Sequence, residues 1–197
     1  MISKHMKKYV EDSLQSGAAE CRVSPEEKAY IEKHGILSGN AIAVAEETEP
    51  FGEAYLELCD KESEEMIAEK DTTFLGQPVS YFKEHINEFL YVEAVEFERI
   101  GVDSACFEVD DVFGSYEALL GLKLQKKHDK AIKEFVGAHI DQDKGRFSMM
   151  FNANEGIWDI NVSLDGLSGF EESFTVQEAL SFVRSFIFRL MEAVEAA

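Results

Sequence analysis

Near the C-terminus, Val176, Ala179, Leu180, Val183, Phe186, Ile187, Leu190, Met191 and Val194 recur at helical spacing. A stripe of this length must be covered, because a helix with one long apolar face is stable only against a second layer. Thr175-Val176-Gln177-Glu178 has the form of a capping box and marks where the helix begins. The residues before it offer the covering layer. Phe147, Met149 and Phe151 alternate with Ser148, Met150 and Asn152; Trp158, Ile160, Val162 and Leu164 then alternate with Ile157, Asp159, Asn161 and Ser163. A period of two on both sides of a turn at Asn152 to Gly156 predicts a β-hairpin. Sheet and helix together place the chain in the α+β class.

The remaining elements follow from the same two periods. Strands are expected at 105–109 and 116–124, with turn residues Asp110-Asp111 and Gly114-Ser115 between them. Lys126 to Ile140 reads as a helix burying Ile132, Phe135, Val136 and Ile140. Ser24-Pro25-Glu26-Glu27 opens a short helix over about 25 to 34, with Gly35 as its stop. A further helix is expected from Thr48-Glu49-Pro50, since Phe51, Ala54, Tyr55 and Leu58 fall at i, i+3, i+4 and i+7. Its continuation brings Glu62, Glu65 and Glu69 beside Met66, either a solvated end or a carboxylate cluster beside a pocket. Gln77-Pro78 opens a third helix to Tyr91 through Val79, Phe82, Ile86, Phe89 and Leu90, and Val92 to Ile100 reads as a strand. The expectation is an antiparallel sheet of about five strands packed with helices and preceded by N-terminal helices. One domain over 1–197 is expected, with 1–76 as an N-terminal helical part and 77–197 as the α+β core.

From Pro78 onward, that order of helix, strands, helix, hairpin and helix resembles the fold of type III secretion chaperones. The resemblance implies a partner-binding role. Gly101-Val102-Asp103, Asp110 to Gly114, Gly121 to Lys127 and Trp158-Asp159 resemble a group of short, uncharacterised proteins of Gram-positive bacteria, some of which carry a branched-chain amino acid aminotransferase label. That label implies pyridoxal phosphate, which needs a Schiff-base lysine, a phosphate cup and a partner for the pyridine nitrogen. No residues of this chain can be assigned to those roles, so no cofactor is expected.

Composition narrows the function classes. Acidic residues number 39 against 19 basic ones, for a formal charge of -20, which would repel a phosphate backbone. Nucleic acid is therefore not an expected partner. Glu46 to Asp71 is densely acidic, whereas Lys123, Lys126, Lys127, Lys130 and Lys133 form a basic strip. With 45% hydrophobic residues and 15 Phe, the chain has material for a core without metal or disulfide. Cys21, Cys59 and Cys106 are odd in number and form no CxxC, which suits reduced thiols in a cytoplasm. No apolar run follows Lys4, Lys7 and Lys8, so neither a secretory signal nor a membrane span is expected.

Chemical signatures are sparse. Asp141-Gln142-Asp143-Lys144-Gly145 begins like a calcium loop, but Gly145 occupies the fifth position, where an EF-hand needs an oxygen ligand. His5, His34, His85, His128 and His139 form no metal-binding pair, although His85 lies near an apolar edge. GxSxG and glycine-rich phosphate loops are absent. The best enzyme-type cluster is Asp103, Glu108, Asp110, Asp111, Asp159 and Asp165, of which Asp103, Asp110 and Asp111 are the candidate metal ligands; otherwise no metal is expected. On the C-terminal helix, Phe188 and Phe182 fall off the apolar stripe, and Phe188 shares its side with Arg184. Phe188, Phe182 and Arg184 are thus the candidate contact residues for a protein partner or for a second copy in a homodimer. The leading expectation is an acidic, cytoplasmic, chaperone-like binding protein; the alternative is a small enzyme working through its clustered carboxylates.

Overall fold

The computed structural model describes residues 1–37 and 43–197. Its N-terminal part comprises helix α1 (Ile2–Gln15), strand β1 (Glu20–Val23), helix α2 (Pro25–Lys33) and strand β2 (Ala43–Glu46). β1 and β2 pair in parallel as a small separate sheet. Ser24 caps α2 with a full capping box, its hydroxyl accepting from Glu27 N–H while the Glu27 carboxylate accepts from Ser24 N–H.

Strands β3 (Tyr55–Asp60), β4 (Met66–Lys70), β5 (Glu88–Glu93), β6 (Val102–Val109), β7 (Tyr116–Leu122), β8 (Phe147–Asn152) and β9 (Ile157–Ser163) form a seven-stranded sheet in the order β4-β3-β5-β6-β7-β9-β8. Every pairing in it is antiparallel. Helical turns α3 (Tyr81–Glu84) and α4 (Val95–Glu98) flank β5, α5 (Asp129–His139) lies between β7 and β8, and α6 (Val176–Ala196) closes the chain. The expected α+β fold is present, with the hairpin, α5 and the capping box of Thr175 and Glu178 where the periodicity puts them.

Several expectations are corrected. The stretch from Pro50 to Asp71 is the β3–β4 hairpin rather than a helix, because Leu56 and Leu58 are both buried in the core while Glu57 between them faces the other way. Its strands belong to the large sheet, so that sheet runs across residue 76 and the segment 1–76 is not only helical. The helix expected over 78–91 is the single turn α3, after which Leu90 and Val92 point one way and Tyr91 the other along β5. The strand expected over 92–100 ends at Glu93 and gives way to α4, whose Glu96 carboxylate accepts the Phe51 N–H at 2.9 Å. These changes raise the sheet from about five strands to seven.

The core lies on one side of the sheet. Leu56, Leu90, Val92, Phe107, Ala118 and Val162 join the α6 stripe and Ile2, Met6 and Val10 of α1 in one buried cluster. A second buried group ties the N-terminal part to α6. Arg99 meets Glu47 at 2.8 Å and Glu27 at 3.4 Å, Arg184 also pairs with Glu47, and the Arg99 guanidinium lies 4.8 Å from the Tyr9 ring centroid. Two arginines against two glutamates leave this site formally neutral, which is how buried charge is tolerated. Among the described residues, no helix is long and apolar enough to cross a membrane.

Candidate functional site

Among the described residues, no helix lines the hollows on the opposite side of the sheet. The register lines up Glu69, Glu57, Tyr91, Cys106, Leu119, Asn161 and Ser148 as one row across all seven strands. Directly paired residues share a face, so every member of the row projects away from the core. None belongs to the buried hydrophobic cluster. Right-handed sheet twist makes such a face concave along one diagonal. Two adjoining hollows of about 600 and 640 Å³ follow, both lined by Cys106 and Leu119. The first adds Glu57, Phe89, Tyr91 and Glu108; the second adds Asp103, Met150, Ile157 and Asp159. The floor is thus apolar along its middle, through Phe89, Tyr91, Leu119 and Ile157, with carboxylates around it.

Burial and neighbouring acids set the protonation of this face. Burial pushes the Cys106 thiol up to about 12, with Glu108 and Cys59 adding to the shift. The Cys59 thiol is also raised, by burial and by Glu57. Both sulfurs are therefore neutral thiols near pH 7, and the thiolate that nucleophilic catalysis uses is suppressed. Burial also raises the Glu108 carboxyl, against the opposing charge of Lys61, whose Nζ lies 3.5 Å from it. Tyr91 donates to Glu93 at 2.6 Å and is held up at about 12 by burial and that bond. The face presents apolar rings, protonated thiols and acceptor-rich carboxylates, a set suited to holding a ligand.

Of the acids singled out from the sequence, Glu108 and Asp111 line the first hollow and Asp103 and Asp159 the second, but the candidate partner contacts lie elsewhere. Phe188 does not project into solvent: it is 3% exposed and packs edge-on against Tyr30 of α2, ring centroids 5.8 Å apart. Arg184 is likewise buried, in the ion pair with Glu47, with Phe51 beneath its guanidinium. Phe182 is half-buried among Phe170 and Phe174. The face expected to meet a partner is covered by α2, the segment at Glu47 and the loop before α6.

The proposed acidic metal cluster is also dispersed. Asp103 stands at the start of β6 and Asp110 just beyond its end, about 23 Å apart at strand rise. Asp103 pairs with Lys123, and Asp110 accepts the Val112 and Phe113 N–H groups of a turn. Among the described residues no group of three or more His, Cys, Asp or Glu side chains is gathered as a metal site. Asp141 accepts the Asp143 N–H in a turn whose Gly145 lies against Gly166, where a Cβ would stand 2.8 Å from the Gly166 backbone. His85 stacks on Tyr81 at the end of α3, with Glu88 at 3.4 Å.

Tyr91, Cys106, Leu119 and Glu57 escaped the sequence reading because three of them lie in segments whose period was misassigned or that looked uniformly apolar. In β7 the alternation of Ala118, Leu120 and Leu122 against Leu119 was the available signal for the second face. Comparison with protein-family models, with curated proteins and with solved structures finds no match to this chain.

Proposed function

We propose that this protein is a chaperone-like binding module of a reducing compartment, which holds a cationic, partly apolar protein partner on the uncovered face of its sheet. The carrying observation is the continuous row from Glu69 to Ser148, with apolar residues at its centre and, among the described residues, no helix lining the hollows over it. An apolar strip with a charged rim is the anatomy of a protein interface. The rim supplies Glu57, Glu93, Glu108, Asp103 and Asp159, and Lys61 is the cation opposing them in the first hollow. Carboxylates in that excess favour lysine- or arginine-bearing partners and raise the rate of their encounter.

The test uses a photo-crosslinking residue at Tyr91, with Lys130 on α5 as the control position, followed by binding measurements on the protein recovered. Crosslinks should form from position 91 and not from 130. Leu119→Lys should weaken the recovered complex by about tenfold or more, the order expected for charging a buried interface position. Binding should also weaken with salt. Equal crosslinking from both positions, or full affinity in Leu119→Lys, would refute this reading.

A further inference from the structure

The two edges of the large sheet differ. β4 is guarded in the usual ways: it carries Glu69 and Lys70, follows Glu64 and Glu65, and pairs with β3 through a bulge at Leu58/Cys59. β8 has none of these. Its sequence, Phe-Ser-Met-Met-Phe-Asn, holds no charge and no proline, and its register with β9 is unbroken over all six residues. Met150 within it is 67% exposed. An edge strand without bulge, charge or proline is a template for another strand.

The direction of its free backbone groups can be read from the ladder. Ser163 donates its N–H to the Arg146 carbonyl at 2.9 Å, which fixes 146 and 163 as a mutually bonded pair. Bonding direction alternates along an antiparallel strand, so Ser148, Met150 and Asn152 turn their backbone groups to β9. Phe147, Met149 and Phe151 therefore turn theirs outward.

We infer that β8 pairs with β8 of a second copy of this chain, antiparallel about a two-fold axis through Met149. Centred there, Met149 faces Met149 of the other copy and Phe147 faces Phe151, so all outward groups are satisfied in about six hydrogen bonds. The rings of Phe147 and Phe151, already half-buried against the core, meet across the junction. Charge selects a second copy over other strands. A chain of formal charge -20 repels itself over most of its surface, yet residues 143–155 hold Asp143 and Glu155 against Lys144 and Arg146 and are formally neutral. Antiparallel pairing brings the Lys144/Arg146 end of each copy to the Glu155 end of the other. The junction places both uncovered faces on the same side of one extended sheet, but it does not depend on what those faces bind.

The register makes a specific test. Residue 148 of one copy stands beside residue 150 of the other on the solvent face. Ser148→Lys with Met150→Lys sets like charges together, whereas Ser148→Lys with Met150→Glu sets opposite charges together. In sedimentation equilibrium the wild type should dimerise, the first double variant should weaken dimerisation by about tenfold or more, and the second should retain it. Hydrogen exchange of the wild type gives an independent readout, since the amides of Phe147, Met149 and Phe151 should become protected as concentration rises. A monomeric wild type at about 100 μM, well above the range of a specific standard-sized interface, would overturn the inference. So would equal behaviour of the two double variants, or exchange at those amides that ignores concentration, which also decides the matter if a variant misfolds.

Discussion

Phe188 shows what one residue's surroundings do to a helical-wheel argument. Its angle on α6 takes it off the main stripe, and a wheel treats everything off the stripe as solvent. The structure covers it with Tyr30, whose hydroxyl in turn donates to Glu195 at the end of the same helix. Residues from opposite ends of the chain thus close over that ring. Phe188→Ala should cost about 3 kcal/mol in urea unfolding, as removal of a buried aromatic does, with the slope against denaturant unchanged. Phe182→Ala, at a half-buried ring, should cost clearly less. Equal and small losses at both positions would mean that α2 does not cover α6 in solution.

The β3–β4 hairpin is the clearest case at the scale of an element. Phe51, Ala54, Tyr55 and Leu58 satisfy a helical period by coincidence, because Leu56 and Leu58 also satisfy a period of two. Nothing local ranks the two; pairing with β5 over six residues does. The hairpin turns through Glu64 at a φ of 58°, a left-handed conformation that costs a residue with a side chain about 1 kcal/mol. Glu64→Gly should therefore raise the melting temperature, by a few degrees for a domain of this size. Phe51 has a similar φ of 64°, but its ring is fully buried against Phe97, so Phe51→Gly should lower stability instead. Thermal denaturation followed by circular dichroism separates the two cases, and a destabilised Glu64→Gly would show that the turn relies on that side chain.

At the scale of the molecule, buried titratable groups make stability depend on pH. Burial raises the carboxyls of Glu27 and Glu108 above their usual range, despite Arg99 and Arg184 beside the first and Lys61 beside the second. A raised native pKa means that the folded chain binds more protons than the unfolded one, so stability falls as pH rises through that window. Cys106 and Tyr91, both pushed up to about 12, act the same way in the alkaline range. The lowered carboxyls of Asp60 and Asp71 oppose this at more acidic pH, and the lowered imidazoles of His5 and His128 oppose it through the range in which histidine titrates. The melting temperature should thus be lower near about pH 10.5 than near about pH 8, a range above the carboxyl and imidazole titrations and below the raised Cys106 and Tyr91 values. A melting temperature no lower at the more alkaline value would contradict the burial of the Cys106 thiol and the Tyr91 hydroxyl. The sequence by itself determined the α+β class, α2 with its N-cap, α6 with its capping box, α5, and the strands from β6 to β9, because in those segments a local period and local stop signals agree. It also determined the net acidity of the chain. Only the tertiary structure decided β3, β4 and β5, the burial of Phe188 and Arg184, and the row from Glu69 to Ser148. Each of those depends on which residue lies opposite which across strands or helices far apart in the chain, and pairing of that kind leaves no period in any one segment.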